Sequence, residues 1–254
     1  GRDVDSDAYG YAAYPGNNPI HFVLNNPGVL NNIGGAASNF IAGADFVGDI
    51  YYGCVYGGTW VMMDPDDGVI NVLGSCPDFA GVAYDISSST MYGVTFAGAL
   101  YTVDYMTGVS TLVGNGASGM IAMACSNDGT LYAIDLNTDA LGTIDKTSGA
   151  WTSIGPLGVD VNYAQDMAWD HADDVCYWAA YTLTYGIGQL YTIDHTTGAI
   201  SLVGDFQGGE EVTGFGIPGG AGGGAGNWLT MDWYKGTVPP FGGVESIPTH
   251  MDAS

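Results

Sequence analysis

The stretch LYTVDYMTGVSTLVG, residues 100–114, contains the pattern that decides the fold. One short β-like segment precedes, and a second follows, a turn that starts at Asp104 and ends at Gly108. An aspartate at the start of such a turn can accept a hydrogen bond from the backbone two residues further on. A glycine at its end can adopt the positive φ that closes a bulged hairpin. The stretch therefore predicts a β-hairpin.

The same phrase occurs five times along the chain. Its closing glycine recurs at intervals of 40, 40, 41 and 49 residues, and a second glycine lies six residues upstream of each. The closing glycines are Gly34, Gly74, Gly114, Gly155 and Gly204. The third unit contains four β-like segments, at residues 79–84, 90–96, 100–103 and 109–113. Four strands repeated at such a period predict the blades of a β-propeller.

The two ends of the repeat indicate the number of blades. The first unit begins at Tyr9, in the position of a second strand, and so lacks an innermost strand. The segment EVTGFGI, residues 211–217, supplies that strand after the fifth unit. We therefore predict an all-β, five-bladed propeller of four-stranded blades over residues 7–218. Its ring is closed by the C-terminal strand pairing with the N-terminal hairpin, which leaves neither strand as a free edge.

The innermost strands carry small residues at two positions that alternation places on one face, taken as the propeller axis. These residues are Gly43, Gly81, Ala122 and Gly214 at the first position and Ala83, Ala124, Ala168 and Gly216 at the second. Asp45 and Asp166 are the exceptions. Carboxylates in a narrow channel need water, a cation or backbone donors. We keep a Ca²⁺ ion at these two residues as one hypothesis, and we predict no other cofactor.

Aromatic residues recur in the strands of every unit. We interpret them as filling the layers between blades rather than as stacking platforms for sugars. The set is Tyr52, Tyr92, Tyr132, Tyr177, Tyr101, Tyr191, Trp60 and Trp169.

Charge excludes two classes of partner. The chain has 3 Lys and Arg residues against 27 Asp and Glu residues, and a formal net charge of -24. Such a surface offers no basic footprint for nucleic acid or an anionic membrane. An uncharged run at residues 105–127 is long enough to span a bilayer, but Ser, Thr, Asn and glycines interrupt it, so we predict no membrane insertion.

The rest of the chain divides into three short segments. Residues 1–6 are a lead-in, and residues 219–226 form a glycine-rich linker. Residues 227–254 are a partial immunoglobulin-like module or a strand-donating tail, too short to bury a core alone. The residues expected to mediate assembly are Trp228, Leu229, Trp233, Val238, Val244 and Ile247.

A family resemblance rests on the Leu-Tyr-Thr-Val-Asp segment at residues 100–104, which recurs with Ile for Val at residues 190–194, and on the repeated Leu-Val-Gly. It also rests on YAQDMAW at residues 163–169 and on the Gly-Thr-Val-Pro-Pro of the tail. Together they resemble the five-bladed propeller regions of large secreted, multidomain bacterial surface proteins, followed by the start of an Ig-like module. The resemblance implies an extracellular or cell-surface location. It carries no catalytic motif.

The extracellular location that the resemblance implies bears on the state of the four cysteines. An even number of cysteines in an extracellular chain favours disulfides, and no pair has the spacing of a metal site. We predict that Cys54 pairs with Cys76 within one blade and that Cys125 pairs with Cys176 across the next junction. Free buried thiols are the alternative.

Three functions are compatible with the sequence. The leading hypothesis is a non-enzymatic extracellular structural or adhesive module, joined through its C-terminal β-segment into a filament or surface assembly. Its partners would be copies of itself or neighbouring Ig-like domains. The alternative is a propeller that binds glycans or a Ca²⁺-dependent partner. The third is a glycosidase with paired carboxylates at Asp45 and Asp166, or at Glu210 and Glu211.

Overall fold

A computed structural model describes residues 6–219. Twenty strands form five four-stranded antiparallel sheets, and the described residues add only one 3₁₀ turn, Gln207–Gly209. Blade 1 contains β20 (Glu211–Gly216), β1 (Asp7–Tyr14), β2 (Asn18–Val23) and β3 (Asn26–Asn32). Blade 2 contains β4 (Ile41–Val47), β5 (Ile50–Val55), β6 (Thr59–Met63) and β7 (Ile70–Ser75).

The other three blades follow the same order from the axis outward. Blade 3 contains β8 (Phe79–Asp85), β9 (Thr90–Thr95), β10 (Ala99–Val103) and β11 (Ser110–Asn115). Blade 4 contains β12 (Met120–Cys125), β13 (Leu131–Asp135), β14 (Ala140–Ile144) and β15 (Trp151–Pro156). Blade 5 contains β16 (Asp166–Asp170), β17 (Val175–Tyr181), β18 (Gly188–Ile193) and β19 (Ile200–Asp205). The predicted five-bladed, all-β architecture is confirmed.

Ring closure occurs in blade 1, as predicted. The last strand, β20, pairs antiparallel with β1, with Tyr9 opposite Gly216 and Tyr11 opposite Thr213. The two ends of the propeller therefore share one sheet. This pairing protects strand edges that an open ring would leave free.

The small residues of the innermost strands are explained by contact between neighbouring blades. A Cβ atom added to Gly43 would lie 2.8 Å from the Cα atom of Gly81 on the next inner strand. One added to Gly81 would lie 2.7 Å from the backbone nitrogen of Met123. Adjacent inner strands thus approach so closely at this position that a larger side chain would force them apart.

The aromatic residues that we predicted as core are buried, except Tyr101, which is half-buried. In every blade, a tyrosine of the second strand or, in blade 1, Tyr9 of β1 is paired with the second axis-facing position of the innermost strand. The pairs are Asp45 with Tyr52, Ala83 with Tyr92, Ala124 with Tyr132, Ala168 with Tyr177 and Gly216 with Tyr9. Large rings beside small residues fill the layer between blades, so burial of this layer stabilises the ring.

The hairpin turns between the third and fourth strands lie on one face of the propeller, called the turn face here. In the turn of blade 3, Gly108 N donates to Asp104 O at 2.7 Å, and Met106 N donates to Asp104 Oδ1 at 3.0 Å. Gly108 has a φ of 78°. The turn chemistry that the sequence predicts is therefore present.

Three of the predicted segments fall wholly or largely outside the described residues. They are the lead-in, all of the linker except Gly219, and the whole of the tail at 227–254, with its six assembly residues. In the described part of the chain, no helix has the length and apolar character needed to cross a membrane.

Candidate functional site

A cavity of about 380 Å³ opens on the opposite face, which we call the funnel face, and the cavity itself is called the funnel. Its walls come from the beginnings of the innermost strands, the connections between blades, and the loops between the second and third strands of blades 2 and 3. Its volume falls within the range of small-molecule sites, roughly 300–1,000 Å³.

Five aromatic residues line the funnel; Phe79 is fully buried, and the other four form two pairs. Phe40 and Tyr56 form a stacked pair with ring centroids 5.1 Å apart, and Phe96 and Tyr163 form a tilted pair at 5.9 Å. Tyr56 and Tyr163 are 55% and 57% exposed, and Phe96 is 39% exposed. A group of exposed aromatic rings around one cavity differs from the isolated apolar residues common on protein surfaces.

Two hydrogen bonds from backbone N–H groups of blade 2 hold the pair formed by Phe40 and Tyr56. Tyr56 N donates to Phe40 O at 2.9 Å, which fixes the two stacked residues to each other. Gly57 N donates to Asp78 Oδ1 at 2.8 Å, so a carboxylate of the next connection holds the same turn. Gly57 and Gly58 both have positive φ values, 98° and 89°, which this tight turn requires.

Tyr163 lies on the connection between blades 4 and 5, residues 157–165. The buried Gln165 closes this loop: its Oε1 accepts from Trp178 Nε1 at 2.6 Å, and its Nε2 donates to Asn162 O. Ala164 has a φ of 61°, a conformation that costs a non-glycine residue about 1 kcal/mol. The loop accepts this strain beside the funnel, where Tyr163 meets Phe96.

The electrostatic environment of the funnel favours neutral or cationic groups. Asp78 lines it, and Glu210 and Glu211 lie on the same face. Partial burial, and then the neighbouring Glu210, raise the pKa of Glu211. Within residues 6–219 the only Lys or Arg is Lys146, which lies on the turn face and pairs with Asp85 at 2.7 Å. An anionic ligand would therefore find no positive partner in the described walls.

The Asp166 carboxyl group accepts hydrogen bonds from the backbone and does not face an open channel. Its Oδ2 accepts from Ala44 N at 3.1 Å and Phe215 N at 3.0 Å, and its Oδ1 accepts from Met167 N at 2.9 Å. These donors belong to β4, β20 and β16, so one carboxyl group joins three inner strands. Burial raises the pKa of Asp166 well above its usual value, and the hydrogen bonds only partly offset this effect.

Asp45 has a similar role between blades 2 and 3. Its Oδ2 accepts from Tyr84 N at 2.7 Å, and its Oδ1 accepts from Phe46 N at 2.8 Å. Burial raises the pKa of Asp45 to about 7. Of the three partners considered for these carboxylates, the structure shows backbone donors. No cluster of three or more His, Cys, Asp or Glu residues suited to a metal occurs in the described chain, and Ca²⁺ at Asp45 and Asp166 stays a prediction.

The four cysteines are free thiols in this structure. Cys54 Sγ and Cys76 Sγ lie 3.4 Å apart, so the fold brings the first predicted pair together. Cys125 and Cys176 are both buried, but they belong to different hydrophobic clusters. Whether either bond forms in solution stays a prediction.

The carboxylates considered for glycoside hydrolysis are not gathered in the funnel. Asp45 and Asp166 accept hydrogen bonds from the inner strands, and neither Glu210 nor Glu211 lines the cavity. Among the described residues that line it, Asp78 is the one carboxylate. The sequence analysis missed Phe40, Tyr56, Phe96 and Tyr163. A signal was present: Tyr56 and Phe96 occupy equivalent loops, each followed within two residues by glycine.

Comparisons with known proteins support the fold. A family model described as a domain of unknown function, DUF4394, matches residues 120–216, which include blades 4 and 5 and the whole of the closing strand β20. A chain in the crystal structure of a nidogen/laminin complex is similar with a TM-score of 0.58 at 11% identity, and the match covers 85% of this chain and 98% of that one. No curated protein matches the chain.

Two structures from Bacteroides thetaiotaomicron VPI-5482 are also similar. A structural genomics protein of unknown function has a TM-score of 0.50 at 15% identity, with 66% of this chain and 44% of that chain covered. An auxiliary nutrient binding protein has a TM-score of 0.47 at 12% identity, with 66% and 42% covered. The matches therefore span less than half of these two chains. At such identities, the two matches with TM-scores of 0.50 and 0.58 support the fold alone.

Proposed function

We propose that this chain is a non-enzymatic binding module that holds a neutral oligosaccharide in the funnel. The observation that carries the proposal is the presence of two pairs of solvent-accessible aromatic side chains, Phe40 with Tyr56 and Phe96 with Tyr163, in the lining of a cavity of about 380 Å³. Glycan binding was the alternative to a structural role in the sequence analysis, and the funnel makes it the better supported of the two.

The chemistry of the walls fits a sugar better than a wholly apolar ligand. A pyranose ring has an apolar C–H face that can lie against an exposed aromatic ring, and its hydroxyl groups need polar partners at the edge. Asp78 is exposed beside Tyr56 and can accept hydrogen bonds from such hydroxyls. An apolar surface with a few placed polar groups is the usual composition of a specific small-molecule site.

The charge of the chain argues for neutral glycans over sulfated or other acidic ones. The formal net charge is -24, and the described funnel face contains no Lys or Arg. In the extracellular setting that the sequence resemblance implies, binding to neutral glycans would make this an adhesive module. The location and the adhesive role are parts of the proposal.

A glycan array tests the proposal, with the full chain applied with and without Ca²⁺. We expect binding to neutral oligosaccharides and none to sulfated ones. Tyr56→Ala and Tyr163→Ala should each weaken binding about three- to tenfold, because each removes one aromatic wall. Tyr185→Ala is the matched control, since Tyr185 is 58% exposed on the same face but does not line the funnel. A blank array, or an equal loss with Tyr185→Ala, would contradict the proposal.

A structural role remains the second candidate. Each sheet ends in an outer strand, β3, β7, β11, β15 or β19, that pairs on one side only within the described residues. Such an edge can accept a donated strand from another chain. If residues 227–254 donate it, a chain lacking them should form no filaments in electron micrographs while the full chain does. Filaments formed by the shortened chain would refute this role.

A further inference from the structure

The cysteine pair of blade 2 lies against the wall of the funnel. Cys54 is on β5, two residues before Tyr56, and Cys76 follows β7, two residues before Asp78. Cys54 is buried and Cys76 is half-buried, with their Sγ atoms 3.4 Å apart. Each cysteine is therefore close in sequence to a residue that lines the cavity.

The segments that carry the two cysteines already form one wall. Cys76 N donates to Gly58 O at 3.0 Å, and Gly57 N donates to Asp78 Oδ1 at 2.8 Å. Cys54 Sγ also lies 3.6 Å from Pro77 O. A covalent bond between the two sulfurs would add to contacts that hold Tyr56 and Asp78 in place.

We propose that Cys54 and Cys76 form a disulfide that locks the wall of the funnel formed by residues 54–58 and 76–78. Its consequence for ligand affinity rests on the proposed function. In the oxidised protein the wall is fixed. In the reduced protein it opens locally more often, so an oligosaccharide must order it on binding and binds more weakly.

The reaction is a thiol–disulfide exchange with a small-molecule disulfide such as oxidised glutathione. One thiolate of the pair attacks a sulfur of the oxidant, forming a mixed disulfide and releasing one glutathione thiol. The second thiolate attacks the mixed disulfide and releases the other. The two cysteines lose two electrons and two protons, and the oxidant gains them. The hydrogen bond from Cys76 lowers the pKa of Cys54, which favours a thiolate there.

The other two cysteines provide internal controls. Burial raises the pKa of both Cys125 and Cys176, and they lie in different hydrophobic clusters. Neither should react with glutathione under conditions that oxidise the blade 2 pair. Oxidation should therefore consume two of the four thiols.

The test uses the full chain, reduced or treated with oxidised glutathione. Peptide mapping should find a Cys54–Cys76 bond, and amide hydrogen exchange at Gly57 and Cys76 should be about tenfold slower in the oxidised protein. Cys76→Ser should remove the difference between the two conditions, and Cys125→Ala should retain it. A bond between other cysteines, or equal exchange rates in both states, would overturn the proposal.

Array binding in both redox states separates this inference from the proposed function. Tighter oligosaccharide binding by the oxidised chain supports both. Slower exchange with no glycan bound in either state supports the lock and refutes the proposed ligand. Equal glycan affinity in the two states would refute the coupling between disulfide and funnel.

Discussion

The two faces of the propeller are built from sequence of different kinds. On the turn face, the hairpins of blades 2 to 5 repeat one arrangement. The N–H of the glycine that ends the turn donates to the carbonyl oxygen of the aspartate that begins it, at 2.7–2.8 Å. The aspartates are Asp64, Asp104, Asp145 and Asp194. On the funnel face, the connections between blades share neither length nor sequence. They range from residues 76–78 to residues 157–165.

The difference separates stability from specificity. A feature repeated in every blade supports the ring, because each blade must bury the same layers against its neighbours. A feature that is not repeated and joins no inner strands can vary without loss of the ring, so it can carry recognition. The exposed aromatic rings of the funnel are of this kind, whereas Asp166, like Asp45, accepts hydrogen bonds from neighbouring inner strands and so supports the ring. Mutations can test this assignment.

The largest expected effect is at the axis. Asp166→Ala should lower the free energy of unfolding by about 3–5 kcal/mol, because three buried backbone N–H groups lose their acceptor. Asp104→Ala is the control on the turn face and should cost about 1 kcal/mol, since that side chain is exposed. Urea unfolding measures both. Equal losses would show that the axis is no more important than a single turn.

Two glycines of the turn face should differ in a defined way. Gly108 and Gly48 both have positive φ, but a Cβ atom at Gly108 would lie 2.5 Å from Trp60 Cβ, whereas nothing lies within 4 Å at Gly48. Gly48→Ala should destabilise by about 1 kcal/mol from backbone strain alone. Gly108→Ala adds a clash with the buried Trp60 and should destabilise by about 3 kcal/mol. Thermal unfolding of the pair would detect the difference, and a ratio reversed from this one would refute the turn geometry.

Stability should fall as pH rises from about 5 to 8. The folded-state pKa of Asp45 is raised to about 7 by burial, so its stabilising contribution is present below the unfolded value and is lost as pH rises through about 7. The expected loss is about 2 kcal/mol. Asp166 adds to it in the same direction. Asp145 and Asp194 have lowered pKa values and act only on the acid side, near pH 4 and below.

Asp45→Asn isolates this effect. The variant loses the titrating group, so its urea midpoint should change less between pH 5 and 8 than that of the unmodified chain. If the urea midpoint of the variant changes with pH as much as that of the unmodified chain, Asp45 does not titrate in this range.

The smallest effect on stability is expected in the funnel. Tyr163→Ala should change the free energy of unfolding by less than about 1 kcal/mol, because the ring is 57% exposed. Tyr132→Ala is the matched comparison at a repeated position, where the ring is 7% exposed, and should cost about 3–5 kcal/mol. A large loss with Tyr163→Ala would place the funnel aromatics among the groups that hold the fold.

The fold was predictable because its signals are repeated. The glycine spacing identified the blades, and residues 211–217 supplied the missing strand, since both depend on local sequence. The partners of Asp166 were not predictable, because Ala44 and Phe215 reach it only after the ring closes. The funnel was missed because Phe40 and Tyr163 lie on connections whose length and sequence are not repeated between the other blades. The glycine repeat identifies the residues that recur in each blade, but it gives no information on residues of the non-repeated connections.

Hydrogen exchange of the full chain with a bound neutral oligosaccharide, the tightest binder on the array, tests the central claim most directly. Binding in the funnel predicts slower exchange at residues 56–58, 76–80, 96–98 and 163–165, segments that each contribute lining residues to the cavity. The turn at residues 104–109, on the opposite face, should be unaffected. Protection confined to the turn face, with none around the funnel, would contradict the account.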